Sequence, residues 1–471
     1  MHIQFLGAGQ EVTGSKYLIR GKVCGVNHCF MVDYGMFQGG READDKNLAA
    51  LPIPPHELDF VVLTHAHIDH SGLLPRLCAQ GFRGTIYCTP ATASLLKIML
   101  LDSAHLQEAD YERAQRKQAQ GRWKGDLPVP LYSTLEAINC LTQLKTIPYH
   151  RRFSPSKGIE IEFLDAGHIL GAAITVIDIQ KEDQQIHRTV FSGDLGMFER
   201  PLMNNPELIQ RADTLIVEST YGDRLHRSLQ DTEDELVEVI TDTLKHNGNI
   251  IIPAFAVGRT QEIIFVLTDL IRRKRLPHLN IWVDSPMATS VTRLTEEYRS
   301  TLDKDAQAVY DWYQKNPNRL DLRFVADVEE SKALNRIKGG AIVISASGMC
   351  EAGRIVHHLK WNLPHRNNAI IITGFQAQGT LGRRLVDQAK IVHLFGKEIT
   401  VKASIHTIGG LSAHADQAGL IRWLKGFEQA PSHVYITHGE PYAASKLKEA
   451  IYSQLGWEHI HLPQLNSTYP L

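Results

Sequence analysis

The chain has 471 residues, with 50 Lys plus Arg, 52 Asp plus Glu and a formal net charge of −2. That length is too great for one small core and implies two or three domains. Hydrophobic residues at 43% and charged residues at 22% argue against a disordered, fibrous or membrane-spanning chain. So balanced a chain must grip any polyanion through a local groove rather than through its overall charge.

The first part reads as short strands bounded by turn residues: Ile3 to Leu6, Ser15 to Ile19, Phe30 to Asp33, Phe60 to Thr64 and Ile86 to Cys88. The N-terminal MHIQFLGAGQEVTG is a strand and a glycine turn rather than a signal sequence, and no apolar run reaches membrane-spanning length. Apolar residues at helical spacing then predict a long helix within Thr92 to Lys124, with a basic tip. Strands resume at Ile159 to Leu164, Ala172 to Ile179 and Thr189 to Ser192.

From about residue 221 helices alternate with buried strands: helix Thr232 to His246, strand Asn249 to Ile252, helix Thr260 to Lys274, strand Ile281 to Val283. The alternation continues through strands at Ala341 to Ser345 and Ala369 to Thr373, which predicts a parallel α/β unit. A long strand is expected around Ile399 to Thr407, after which the SAHAD and THGE segments look like the first part again. The expected organisation is one domain inserted into another, with residues 221–407 inserted between 1–220 and 408–471. The inserted segment carries about 25 Lys plus Arg against about 22 Asp plus Glu, so it is the more basic half. Six scattered cysteines (Cys24, Cys29, Cys78, Cys88, Cys140 and Cys350) without a CxxC pair predict no disulfide framework and fit a reducing cytoplasm.

The strongest chemical signal is His65-Ala-His67-Ile-Asp69-His70, a strand-to-helix turn after the apolar FVVLT. Three imidazoles and a carboxylate beyond a buried strand are costly unless something binds them. Imidazole and carboxylate without thiolate suit zinc or manganese in an open, catalytic site. Alternating side-chain directions let one loop serve two ions. Further donors stand in later turns: His168 in DAGHILGAA, Asp194 in FSGDLG and His438 in VYITHGE.

In this order of motifs the chain resembles the metallo-β-lactamase superfamily, and within it the β-CASP nucleases. Glu218 in VEST, His414 in SAHAD and His438 in THGE match that group's motifs A, B and C, and PAFAVGRTQE, DSPMA, SASGMCEAGR and GFQAQGTLGRRL match segments of its inserted domain. The resemblance implies an αββα sandwich with an inserted parallel α/β β-CASP domain. It implies two Zn2+ ions, one held by His65, His67, His168 and Asp194, the other by Asp69, His70, the shared Asp194 and His438, with Asp33 orienting the loop from behind.

The reaction it implies is hydrolysis of single-stranded RNA by a two-metal-activated hydroxide to 5′-phosphate and 3′-hydroxyl ends, by endonuclease or 5′-exonuclease action. Asp69, His414, Glu218 and Asp33 are the expected catalytic set, with His414 as proton donor to the departing oxygen and Glu218 as its orienter. Arg259, Ser347, Gly348, Arg354, Gly379 and Arg383 are expected near substrate phosphates. A homodimer or an RNA-processing complex is compatible with the resemblance, and no membrane partner is expected. Two competing readings are a thioester or lactone hydrolase on the same metal core and a noncatalytic RNA-processing subunit.

Overall fold

In the computed structural model, which describes every residue except Lys124, Phe375 and Ala377, the two ends of the chain fold together as one unit, Met1–Phe198, Asn205–Leu225 and His414–Leu471. Glu199–Asn204 and His226–Ala413 form a second.

Among the described residues the first unit holds two seven-stranded sheets. One runs Thr468–Pro470, His2–Phe5, Lys16–Val23, Val26–Tyr34, Phe60–Val62, Thr85–Cys88, Leu144–Thr146. The other runs Ile460–His461, His433–Thr437, Thr214–Glu218, Ile186–Phe191, Ala173–Gln180, Ile159–Asp165, Phe153–Ser156. In each, antiparallel strands on one side give way to parallel strands on the other. Because strand residues alternate between faces, Phe30, Val32, Phe60 and Val62 of one sheet meet Ile177, Phe191, Ile216 and Tyr435 of the other in a single core. Met31 and Val61 point the other way and are also fully buried, so both faces of this sheet are covered. Packed helices, Leu74–Ala79 and Pro90–Ala119 with Thr134–Leu141, and Gln417–Leu424 with Pro441–Leu455, complete an αββα sandwich.

Among the described residues the second unit is built on a sheet of six strands, all parallel: Leu320–Phe324, Leu279–Val283, Ala341–Ser345, Ile250–Pro253, Ala369–Ile372, Ser404–Thr407. Its three central strands are buried along their whole length, as expected for strands covered on both faces.

Three elements depart from the sequence expectation. The strand Leu320–Phe324 has exposed or half-exposed charges in LDLRF and lacks the apolar run that marks its neighbours. The single strand expected around Ile399 to Thr407 is two: Lys397–Thr400 folds back on Ile391–Leu394, while Ser404–Thr407 takes the sheet edge. The break falls where the Lys402 and Ala403 N–H groups both donate to the Leu363 carbonyl (2.8 and 2.9 Å), leaving no ladder to continue. The long helix runs Pro90–Ala119, starting two residues earlier than expected under a Thr89 cap and ending before Lys124, which lies outside the described residues. Among the described residues no helix is long and apolar enough to cross a membrane.

Lys16 sets a stability prediction. It is only 6% exposed, with its ammonium 4.3 Å from the centre of the Phe37 ring and 5.4 Å from that of Tyr34. Burial, opposed by the charge of Glu11, pushes it down from 10.5 to about 7. The unfolded chain therefore binds the extra proton across that window, so this residue's penalty is full below pH 7 and is lost as pH rises towards 10.5. The shift sets a ceiling of about 5 kcal/mol, and the two ring contacts return roughly 1–2 of it. Lys16→Met is expected to stabilise the protein by about 3 kcal/mol at pH 6.5 and by little at pH 10.5, read from denaturant midpoints at the two pH values.

Candidate metal centre

The parallel strands of the sandwich deliver their carboxyl ends to one rim, and the polar residues singled out by sequence sit there. Phe60–Val62 leads into Thr64 to His70, Ile186–Phe191 into Asp194, Thr214–Glu218 ends on Glu218, and His433–Thr437 leads into His438. The loop carrying Asp69 lies so close to the end of Val26–Tyr34 that a Cβ on Gly35 would stand 1.7 Å from the Asp69 carbonyl oxygen. Only glycine permits that approach. Asp33 (φ 57°) and His438 (φ 50°) hold left-handed backbone conformations, which cost non-glycine residues roughly 1–2 kcal/mol and concentrate at functional sites.

Ligand-type atoms converge in three overlapping groups, each with its atoms within 4.8 Å of one another. His65, His67, His168 and Asp194 form the first, Asp69, His70 and His438 the second, and Asp194, Glu218, His414 and His438 the third. His67 Nδ1 lies 3.1 Å from His65 Nε2 and 3.2 Å from His168 Nε2. Asp194 stands between the groups: Oδ2 is 3.3 Å from His65 Nε2 and 3.6 Å from His168 Nε2, while Oδ1 is 3.3 Å from His70 Nε2 and 3.8 Å from His438 Nδ1. On the far side His438 Nε2 is 3.3 Å from Asp69 Oδ2.

Both oxygens of Asp194 are buried and lack a hydrogen-bond partner, although an isolated buried carboxylate is among the costliest groups a protein can carry. A carboxylate so placed, ringed by imidazole nitrogens, fits divalent cations on either side of it. The electrostatics agree at three of the imidazoles; at the fourth, His70, burial is outweighed by the charges of Asp194 and Asp33, which hold the ring well above its ordinary value. Burial pushes His65 down to about 3, His67 to about 4 and His168 well below its ordinary value, so all three are neutral with lone pairs to offer at neutral pH. Burial alone would raise Asp69 and Asp194, but the surrounding histidines, His438 foremost, hold both below the usual carboxylate range.

Behind these atoms lies a layer that the sequence only partly disclosed. Asp33 accepts from the Thr64 N–H and O–H, both at 2.8 Å, and lies 2.7 Å from His70 Nδ1. With Asp33 on Nδ1, His70 turns Nε2 towards Asp194. Thr64 is also 3.1 Å from His65 Nδ1. Thr220 does the same on the opposite side, donating to Glu218 at 2.6 Å and lying 3.0 Å from His438 Nδ1. Neither threonine was singled out from sequence. Each directly precedes or follows within two residues a motif residue, which is the one signal that could have drawn attention to it.

Glu218 is buried and reaches His414 Nδ1 at 3.0 Å through Oε2, while Oε1 accepts the Leu195 N–H at 2.6 Å. Burial disfavours a charged His414, but the charges of Glu218 and Asp194 outweigh it and push the imidazole up to about 9. His414 Nδ1 is also 3.9 Å from Asp194 Oδ2, so a proton-carrying group stands beside the cation pocket.

The residues expected near substrate phosphates all lie in the second unit, in the loops and first helical turns that follow its three central strands. Arg259 pairs with Glu262 at 2.6 Å, and Glu262 also takes Arg200 through both oxygens. Arg354 pairs with buried Asp284 at 2.6 Å, which His358 (2.6 Å) and Ser331 (2.6 Å) also hold. Arg383 pairs with Asp387 at 2.9 Å. Ser347 and Gly348 follow the strand Ala341–Ser345, and Gly379 (φ 84°) precedes the Thr380 cap of helix Leu381–Val386. Phe375 and Ala377 of the GFQAQG segment lie outside the described residues.

Models of three families match the chain in succession: the metallo-beta-lactamase superfamily over residues 11–244, the Beta-Casp domain over 260–385, and the Zn-dependent metallo-hydrolase RNA specificity domain over 398–463. The chain is 37% identical over 441 residues to Ribonuclease TTHA0252 of Thermus thermophilus, covering 93% of each. It is 31% identical over 442 residues to transcription termination factor FttA of Methanothermobacter thermautotrophicus, covering 90% of this chain and 65% of that protein. To FttA of Methanosarcina mazei it is 28% identical over 484 residues, 99% of this chain and 71% of that one. With a relative 37% identical over nearly all of both chains, and both halves of the expected architecture matched, the protein belongs to the β-CASP ribonuclease family of the metallo-β-lactamase superfamily.

Proposed function

We propose that the chain is a zinc-dependent ribonuclease that hydrolyses the phosphodiester bonds of single-stranded RNA, leaving 5′-phosphate and 3′-hydroxyl ends. One observation carries the reading: the donor-free carboxylate of Asp194 lies between two sets of imidazole and carboxylate atoms with the His414–Glu218 pair beside it. In this reading His65, His67, His168 and Asp194 hold one ion and Asp69, His70, Asp194 and His438 the other, with zinc favoured over manganese by the imidazole-rich set. Such a pair of cations, when bound, supplies hydroxide at neutral pH and neutralises the non-bridging oxygens of the phosphate.

The chain's own residues do the rest. Asp33 and Thr64 fix the ring of His70, and Thr220 fixes that of His438, so their lone pairs do not wander. Glu218 anchors Nδ1 of His414, which frees Nε2 to hand a proton to the departing 3′-oxygen. Residues 221–407 serve as the β-CASP domain, and Arg259, Ser347, Gly348, Arg354, Gly379 and Arg383 receive backbone phosphates. A cytoplasmic site of action accords with six cysteines that are all free thiols.

The test is to incubate the purified protein with end-labelled and internally labelled single-stranded RNA and matching DNA, with and without chelator. RNA cutting that stops with chelator and returns with zinc is expected, with product ends that ligase accepts at the 5′ side without prior phosphorylation. Zinc-loaded protein that leaves RNA intact but hydrolyses a thioester or lactone would overturn the reading.

A further inference from the structure

The hairpin that replaced the expected long strand of the second unit presents an unusual residue. Leu394 pairs with Lys397, so Phe395 and Gly396 alone form the turn, with φ of 53° and 72°. Both central residues at positive φ define the hairpin turn that Asn-Gly or Gly-Gly ordinarily fills. A bulky aromatic in that conformation is a true outlier costing roughly 1–2 kcal/mol. The expense secures no core, because Phe395 is 55% exposed.

The ring is instead laid against a helix. Phe395 stacks on His357 of Arg354–Asn362, with centroids 4.5 Å apart and planes at 30°, and the Lys360 ammonium lies 5.6 Å from its centre. Trp361, four residues on from His357 and so on the same side of the helix, is 54% exposed. Leu359 on the helix, Leu363 just past its end, and Val392 and Leu394 on the hairpin belong to one buried core, which anchors both elements. Lys360 stands at the ring, and the segments 354–366 and 390–402 that carry these residues hold Arg354, Lys360, Arg366, Lys390, Lys397 and Lys402 against Glu398 as their one carboxylate. Exposed aromatics on cation-rich segments match the chemistry of unpaired bases stacked along a phosphate backbone.

We propose that His357, Lys360, Trp361 and Phe395 form an accessory platform for single-stranded RNA, on which bases of a long substrate stack without touching the metal-centre residues. The inference rests on the ribonuclease reading for its ligand. The platform acts through binding alone, so it lowers KM for RNA long enough to occupy it and leaves the chemical step untouched.

Phe395→Asn supplies a test that misfolding cannot confuse, since asparagine suits the turn better than phenylalanine and the variant should melt no lower than the parent. Cleavage is measured for Phe395→Asn, Trp361→Ala and the parent on RNA of about 6 and about 60 nucleotides. Each variant is expected to raise KM on the long RNA about five-fold or more, with kcat and all constants on the short RNA unchanged. Unchanged KM on the long RNA, with the parent active, overturns the platform while leaving the ribonuclease reading intact. A parent inactive on every RNA overturns that reading. Variants that lose self-association or a co-purifying protein, with RNA kinetics unaltered, show the face to be a protein surface and overturn the platform too.

Discussion

Asp194→Asn is expected to abolish both metal retention and RNA cleavage while leaving the fold in place. The side chain keeps its shape and one oxygen, so the core around it need not collapse. What it loses is the negative charge that faces His65 and His168 through one oxygen and His70 through the other, at 3.3, 3.6 and 3.3 Å. Changing residues that merely support a ligand costs about ten- to a hundred-fold in metal affinity, and removing the charge shared by both donor groups should exceed the upper figure. Thermal unfolding with and without zinc separates this from a folding defect. Zinc at about 1,000 times its dissociation constant stabilises the parent by about 4 kcal/mol through mass action, whereas the variant should melt at the same temperature with or without the metal. If the variant binds zinc like the parent and cuts RNA at an unchanged rate, Asp194 is not the bridge and the pocket has been misread.

The parts of this site that were legible in the sequence are those whose chemistry is local. His65, His67, Asp69 and His70 fall within six residues after an apolar strand, and no packed core tolerates such a cluster without a ligand. His168, Asp194, Glu218, His414 and His438 were each ambiguous alone, and only their motif context ordered them. Their meeting depends on parallel pairing of Thr214–Glu218 with His433–Thr437, strands more than two hundred residues apart that no local periodicity joins.

The hydroxyls of Thr64 and Thr220 were missed for the same reason: a threonine beside a motif becomes a ring-holder only once the neighbouring strand brings Asp33 or His438 within 3.0 Å. The arginines show the opposite limit. Arg259, Arg354 and Arg383 were placed near phosphates by motif position, and residue type alone does not reveal the carboxylate that also holds each of them. Fold class was clearer than boundaries, because the switch from alternating to helical patterning survives small errors. The split of the strand expected at Ile399 to Thr407 was invisible, since both halves are β-prone and the break is made by the distant Leu363 carbonyl.

The second large effect separates proton donation from metal binding. His414→Ala is expected to lower kcat on RNA by about 10²- to 10⁴-fold, the usual contribution of a positioned general acid. Metal content should stay at the parent's level if His65, His67, Asp69, His70, His168, Asp194 and His438 suffice to hold the ions. His414 does belong to one of the three ligand groups, so metal content is the measurement that distinguishes the roles. The sharper discrimination comes from the leaving group. A 3′-alkoxide is a poor leaving group and needs a proton in the transition state, whereas a nitrophenolate does not. With bis(p-nitrophenyl) phosphate the variant should therefore keep most of the parent's rate, while on RNA it is nearly inert. Glu218→Gln should follow the same pattern with a smaller loss, because the amide oxygen can still take the Nδ1 proton at 3.0 Å but no longer supports the charge on the ring. Equal losses on both substrates with metal retained would mean that His414 positions phosphate rather than donating a proton, and a loss of metal would mean that it is a ligand.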